Sequence, residues 1–141
     1  MFVRVCAVIA ACLFAVVTAF QIALVLGAPW GEFTQGGATS GALATGGRML
    51  ALVSALLLVA MAFVVLARPG LGPLHRVSRR VVGVLIWLTV AYCAVGLLAN
   101  LASRSVNERA VWAPVTAVLV VLILIVALGT RGAGESVETR S

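Results

Sequence analysis

Two carboxylates and three guanidiniums stand at points of this chain that its hydrophobic pattern brings to one side: Glu32, Arg48, and the run Ser103-Arg104-Ser105-Val106-Asn107-Glu108-Arg109. Acids and arginines at close quarters form charge-assisted, often bidentate hydrogen bonds, so the set could close into an ion-pair network or hold an anionic group. As an ordinary solvated loop it would carry only surface pairs of ~0–1 kcal/mol. Across the same region Thr89, Tyr92, Gly96, Asn100, Ser103 and Asn107 recur at intervals of three and four. On one continuous helix they fall within an arc of about 80°. Such a stripe serves either interhelical hydrogen bonding or as one wall of a polar cavity. The candidate binding residues are therefore Glu32, Arg48, Tyr92, Asn100, Ser103, Arg104, Glu108 and Arg109.

Other chemistry lacks its residues. Cys6, Cys12 and Cys93 all fall in apolar runs, without a C-x-x-C pair. They read as buried thiols and predict no outer-face disulfide. Haem and zinc sites need clustered His or Cys, whereas His75 is the single histidine and reads as a solvated loop residue. It lies on the opposite side from Glu32 and Glu108, so no Ser-His-acid set can be assembled. No catalytic residue, metal or cofactor is expected.

The elements that position these residues are four apolar runs, 5–26, 49–67, 81–101 and 110–129, none holding an acid, a base or a histidine. Each has about 20 residues, which at ~1.5 Å per residue crosses a ~30 Å hydrocarbon core. With 63% hydrophobic residues in 141, the chain lies outside the soluble range of about half apolar. The fold class expected is all-α, a four-helix transmembrane bundle occupying 1–129, followed by a disordered cytoplasmic tail, 130–141. Arg4, the apolar run and Val17-Thr18-Ala19 loosely imitate a cleaved secretory signal, as Ile9-Ala10-Ala11-Cys12 imitates a lipoprotein box. The run continues past both to Leu26, which predicts a retained span.

The basic charge is all arginine, ten against four glutamates. In a membrane protein it reports orientation rather than nucleic-acid binding, because Lys and Arg collect in cytoplasmic loops. Arg4, Arg68, Arg76, Arg79, Arg80, Arg131 and Arg140 share one side, and Arg48, Arg104 and Arg109 the other. Both termini are therefore expected in the cytoplasm, with the arginine collar against anionic headgroups and Trp30 and Trp112 at the outer interface. The glycine-rich segment 27–48 is either a flexible loop or an ordered cap over the bundle mouth. Its start, Gly27-Ala28-Pro29, should end the first helix.

Helix one carries Ala7, Ala11, Ala15, Ala19, Ala23 and Gly27, a small residue at every fourth position. This reads as a seam for close helix approach, drifting about 40° per step and so suited to a crossing neighbour. Gln21 lies about 160–200° around from Ala19 and Ala23, and a glutamine in hydrocarbon needs a partner. It points weakly to a neighbouring subunit. Helix four, with Pro114 in its first turn, reads as a packing or lipid-facing helix.

Gly27-Ala28-Pro29-Trp30-Gly31-Glu32 followed by Gly36-Gly37, an arginine opening helix two, and Asn100-x-x-Ser103-Arg104-Ser105-x-x-Glu108-Arg109-x-x-x-x-Pro114 make two motifs over about residues 15–125. Together they resemble an uncharacterised family of small four-helix membrane proteins frequent in high-GC Gram-positive bacteria. A proline common in that family before the helix-two arginine is replaced here by Ala44-Thr45. The resemblance implies fold and location, and no activity. The leading expectation is a multi-pass plasma-membrane protein acting as a non-catalytic accessory or packing subunit. Its partners would be the lipid bilayer and a membrane protein or a second copy. The alternative is a small-molecule binder or transporter using an outer-facing polar cavity; a third is an enzyme acting on a lipid or outer-face group.

Overall fold

A computed structural model describes residues 1–129, apart from the side chain of His75; the expected tail lies outside the described residues. The chain is all-helical there: α1 Phe2–Val25, α2 Thr45–Ala67, α3 Arg79–Leu101 and α4 Val106–Gly129, with single turns at Gly31–Phe33, Gln35–Gly37 and Pro73–Arg76. All four helices are long and apolar enough to cross a membrane, and at ~1.5 Å per residue each runs about 35 Å. The protein is of the multi-pass membrane type.

The helices begin earlier than the apolar runs, α2 at Thr45 rather than 49 and α4 at Val106 rather than 110. Hydropathy marks where hydrocarbon begins, but a helix starts where its first amides find a cap, and Ser105 supplies that cap for α4. Pro114 therefore stands inside α4 and not in its first turn, and Glu108 belongs to the helix.

In lipid, helix association relies on close van der Waals packing, because the tails are as apolar as Leu. Here α1 packs on α2 and on α4 and α3 packs on α4, whereas the neighbouring helices α2 and α3 touch much less. The core gathers Ala7, Ala10 and Phe14 of α1, Val65 of α2, Ile86 of α3, and Ile123, Val126 and Ala127 of α4. All eight have 0% exposure. The alanine ladder is not the seam. Ala7 is buried, but Ala15 and Ala19 are exposed, edging a shallow apolar groove with Val59, Ala62 and Phe63 of α2. The drift of about 40° per step explains this, because it carries Ala15 and Ala19 about 80° and 120° around the helix from the buried Ala7. The packed face instead follows mixed steps of three and four through Ala7, Ala10, Phe14 and Thr18.

At one end lie the connector 102–105 and the long loop after α1. Gly27 (φ +99°) ends α1: the Ala28 amide donates to Ala23 O and the Gly27 amide to Leu24 O. This two-bond closure needs a left-handed residue, which glycine supplies without Cβ strain. The Gly31 amide donates to Gly41 O over 2.9 Å, closing the loop on itself. Leu43 is buried against Leu24 and Ala51. Of the two expectations for this loop, the ordered cap is what forms.

Candidate functional site

The site is built around the first turn of α4. Ser105 Oγ accepts from the Glu108 amide at 3.1 Å, the Ser-x-x-Glu spacing of a capping box. In that motif the glutamate returns to the serine amide. Here Ser103 stands in between: its Oγ accepts from the Ser105 amide at 3.2 Å and donates to Glu108 Oε2 at 2.5 Å. That leaves the Glu108 carboxylate free to reach outward, and Oε2 also accepts from the Gly36 amide at 2.9 Å. One oxygen thus ties helix four to the first loop. Three further bonds fasten the same seam. Ser105 Oγ donates to Glu32 O at 2.6 Å, Asn107 Nδ2 to Glu32 Oε2 at 3.3 Å, and Trp112 Nε1 to Phe33 O at 2.7 Å.

Beneath this roof is a cavity of about 210 Å³ lined by all four helices. Phe14 and Leu119 form its floor, and Thr34, Glu108 and Trp112 its upper rim. Along α4 the span from Glu108 to Leu119 corresponds to about 16 Å. Its polar lining is Gln21, Ser54, Tyr92, Asn100 and Thr116 besides the rim. Asn100 Nδ2 donates to Thr116 Oγ1 at 3.4 Å, and Thr116 in turn donates to Trp112 O at 2.6 Å. Gln21 and the Tyr92 hydroxyl form no hydrogen bond among the described residues, and Glu108 Oε1 accepts none. Tyr92 and Ala99 line the cavity while remaining exposed, and a Cβ added at Gly96 would meet nothing within 4 Å. The chamber is therefore open on its α3 side, toward the sparse α2–α3 contact.

Tyr92, Asn100 and Glu108 of the candidate residues come together at this cavity, with Ser103 behind Glu108. Glu32 is exposed and held by Asn107. Arg48 does not reach Asn100: its Nε donates to Leu43 O at 3.0 Å, and its guanidinium lies against Gly27. Arg109 is exposed and donates to Ser103 O at 3.0 Å, and Arg104 is exposed without a hydrogen bond among the described residues. The expected ion-pair network is absent, since neither Glu32 nor Glu108 pairs with an arginine among the described residues. Instead the Gly36 amide and the Ser103 hydroxyl bond Glu108 Oε2, the Asn107 side-chain amide bonds Glu32, and backbone carbonyls accept from Arg48 and Arg109.

The continuous helix-three stripe is also corrected. Because α3 ends at Leu101, Ser103 falls in the connector and Asn107 on α4, while Thr89 bonds Leu85 O within its own helix. The sequence reading missed the aromatic side of the site. Phe20 stacks on Trp30 (5.9 Å, 7°) and tilts against Trp112 (4.6 Å, 57°), so Trp112 turns inward rather than into the interface. Gln21 was the available signal, since it sits on α1 between Phe20 and the buried Leu24 and faces the cavity.

At the opposite end Arg68, Arg79 and Arg80 line a wide groove of about 710 Å³ with Trp87 and Leu88. Among the described residues no group of His, Cys, Asp or Glu could hold a metal ion. No protein-family model, curated protein or solved structure matches this chain.

Proposed function

We propose that this chain is a plasma-membrane protein, with both termini in the cytoplasm, that binds a small amphipathic molecule in the cavity under its first loop. The orientation rests on the arginine asymmetry, five against three among the described residues, and with it the roofed end of the cavity lies toward the outer side. The resemblance to the Gram-positive four-helix family supports a membrane location and adds no activity. The observation that carries the binding reading is the polar lining: Gln21 and Glu108 border one chamber, and the Gln21 amide and Glu108 Oε1 have no hydrogen-bond partner among the described residues. In a membrane interior an unsatisfied polar group costs several kcal/mol, so a packing subunit has no reason to keep them so. A ligand head, or water that a head displaces, supplies the missing bonds. At about 210 Å³ the chamber is smaller than the ~300–1,000 Å³ that takes whole drug-sized ligands. It suits a head group whose apolar tail leaves through the open α3 side into lipid.

The test uses Trp112 as its own reporter, with Trp30 and Trp87 replaced by Phe. Titrating 12-bromododecanol in mild detergent should give saturable quenching. Gly96→Leu, whose side chain enters open space at the cavity wall, should abolish it. Quenching that rises linearly and ignores Gly96→Leu would overturn the reading, and the accessory-subunit alternative would take its place.

A further inference from the structure

We infer that the head taken by this cavity is a cation, an amine or quaternary ammonium seated between Glu108 Oε1 and the Trp112 and Phe20 rings. The inference rests on the binding reading and adds a charge to it.

Glu108 is 9% exposed, and its two oxygens differ. Oε2 holds the Gly36 amide and the Ser103 hydroxyl, whereas Oε1 accepts nothing among the described residues. A buried carboxylate without a counter-charge is costly, and an opposite charge at close range relieves that cost. No arginine lines the cavity to do so. Arg48 is turned to Leu43 O, Arg109 is exposed on Ser103 O, and Arg104 is exposed. The arrangement has an internal logic. The positive end of α4 and the Gly36 amide favour negative charge on Glu108, so the loop seam holds a carboxylate in place without neutralising it.

The walls choose the same sign. Aromatic faces attract a cation within about 6 Å of the ring centroid, and Trp112 and Phe20 meet at 4.6 Å beside this acid. The remaining polar groups, the Gln21 and Asn100 amides, offer carbonyl oxygens to the N–H donors of a protonated amine head and partial negative charge to a quaternary one. An anionic head would meet Glu108 as a like charge at low dielectric, and a neutral head can bond Oε1 but leaves its charge without a counter-charge.

The experiment compares two probes sharing one tail, 12-bromododecyl-trimethylammonium and 12-bromododecanol, by Trp112 quenching in the single-tryptophan protein. The ammonium should bind the unsubstituted cavity at least tenfold more tightly than the alcohol. Glu108→Gln, which keeps an acceptor oxygen for Gly36 and Ser103, should bring the two within about threefold by weakening the ammonium alone. Equal saturable binding of both probes to the unsubstituted cavity refutes the cation and leaves the binding reading intact. No saturable quenching by either probe overturns both. The unsubstituted comparison decides the matter even if Glu108→Gln fails to fold, and a preference for ammonium that survives in a folded Glu108→Gln refutes the role of Glu108.

Discussion

Removing the Glu108 side chain is the severest test of how the loop is held. Glu108→Ala deletes the acceptor shared by the Gly36 amide at 2.9 Å and the Ser103 hydroxyl at 2.5 Å. A hydrogen bond to a charged group contributes ~1.5–3 kcal/mol. Both bonds are part-buried, so two at the lower bound give about 3 kcal/mol. Loss of a negative charge from the first turn of α4 removes a further ~0.3–1 kcal/mol. Water reaching the loop end after truncation returns some of this, and the expected loss is ~2–3 kcal/mol. Glu108→Gln keeps one acceptor oxygen in place and exchanges charge-assisted for neutral bonds, at ~1 kcal/mol. Reversible unfolding by dodecyl sulfate in mixed micelles, followed by tryptophan fluorescence, measures both. A loss below ~0.5 kcal/mol for the alanine variant, the usual range of an ordinary surface change, would refute the claim that this carboxylate pins the loop. Equal losses for alanine and glutamine would show that the shape of the side chain matters and its acceptor does not.

Two further outcomes are expected. Ala10→Leu places three extra carbons at a position of 0% exposure and should cost ~1–3 kcal/mol. Ala15→Leu, at an exposed position, should stay within ~0.5 kcal/mol in the same assay; the reverse order would restore the alanine ladder as the seam. A cysteine at Ser40 in the loop should react with an impermeant maleimide from outside intact cells, whereas labelling only after permeabilisation would invert the orientation.

The spans and the bundle were legible because they depend on composition summed over about 20 residues, which lipid solvation enforces without reference to neighbours. Gly27 was legible for a local reason: a helix followed by glycine, alanine and proline has few other ways to stop. What escaped was the rotation of each helix about its axis. Ala7, Ala11, Ala15 and Ala19 look equivalent in the sequence, and only contact with α2 and α4 separates the buried first from the exposed later ones. Trp112 looked like an interfacial anchor, because nothing in the local sequence shows that Phe33 O waits to accept its indole N–H. Glu108 was placed in a loop by a hydropathy boundary. The Ser105–Glu108 spacing was present to move that boundary, since a serine three residues before a glutamate marks a helix start.

The bond from the Gly36 amide to Glu108 joins residues 72 positions apart, and that separation sets a clock during synthesis. At ~5–20 residues per second, the ribosome needs about 4 to 14 s after making Gly36 before Glu108 exists. Through that interval α1 and α2 can already pair, but the loop between them lacks its clasp and stands open to proteases on its side of the membrane. Only the arrival of the last helix closes it. A chain halted after α3 would lack every one of the loop's bonds to Ser105, Asn107, Glu108 and Trp112, so the loop is finished only when the final span is made.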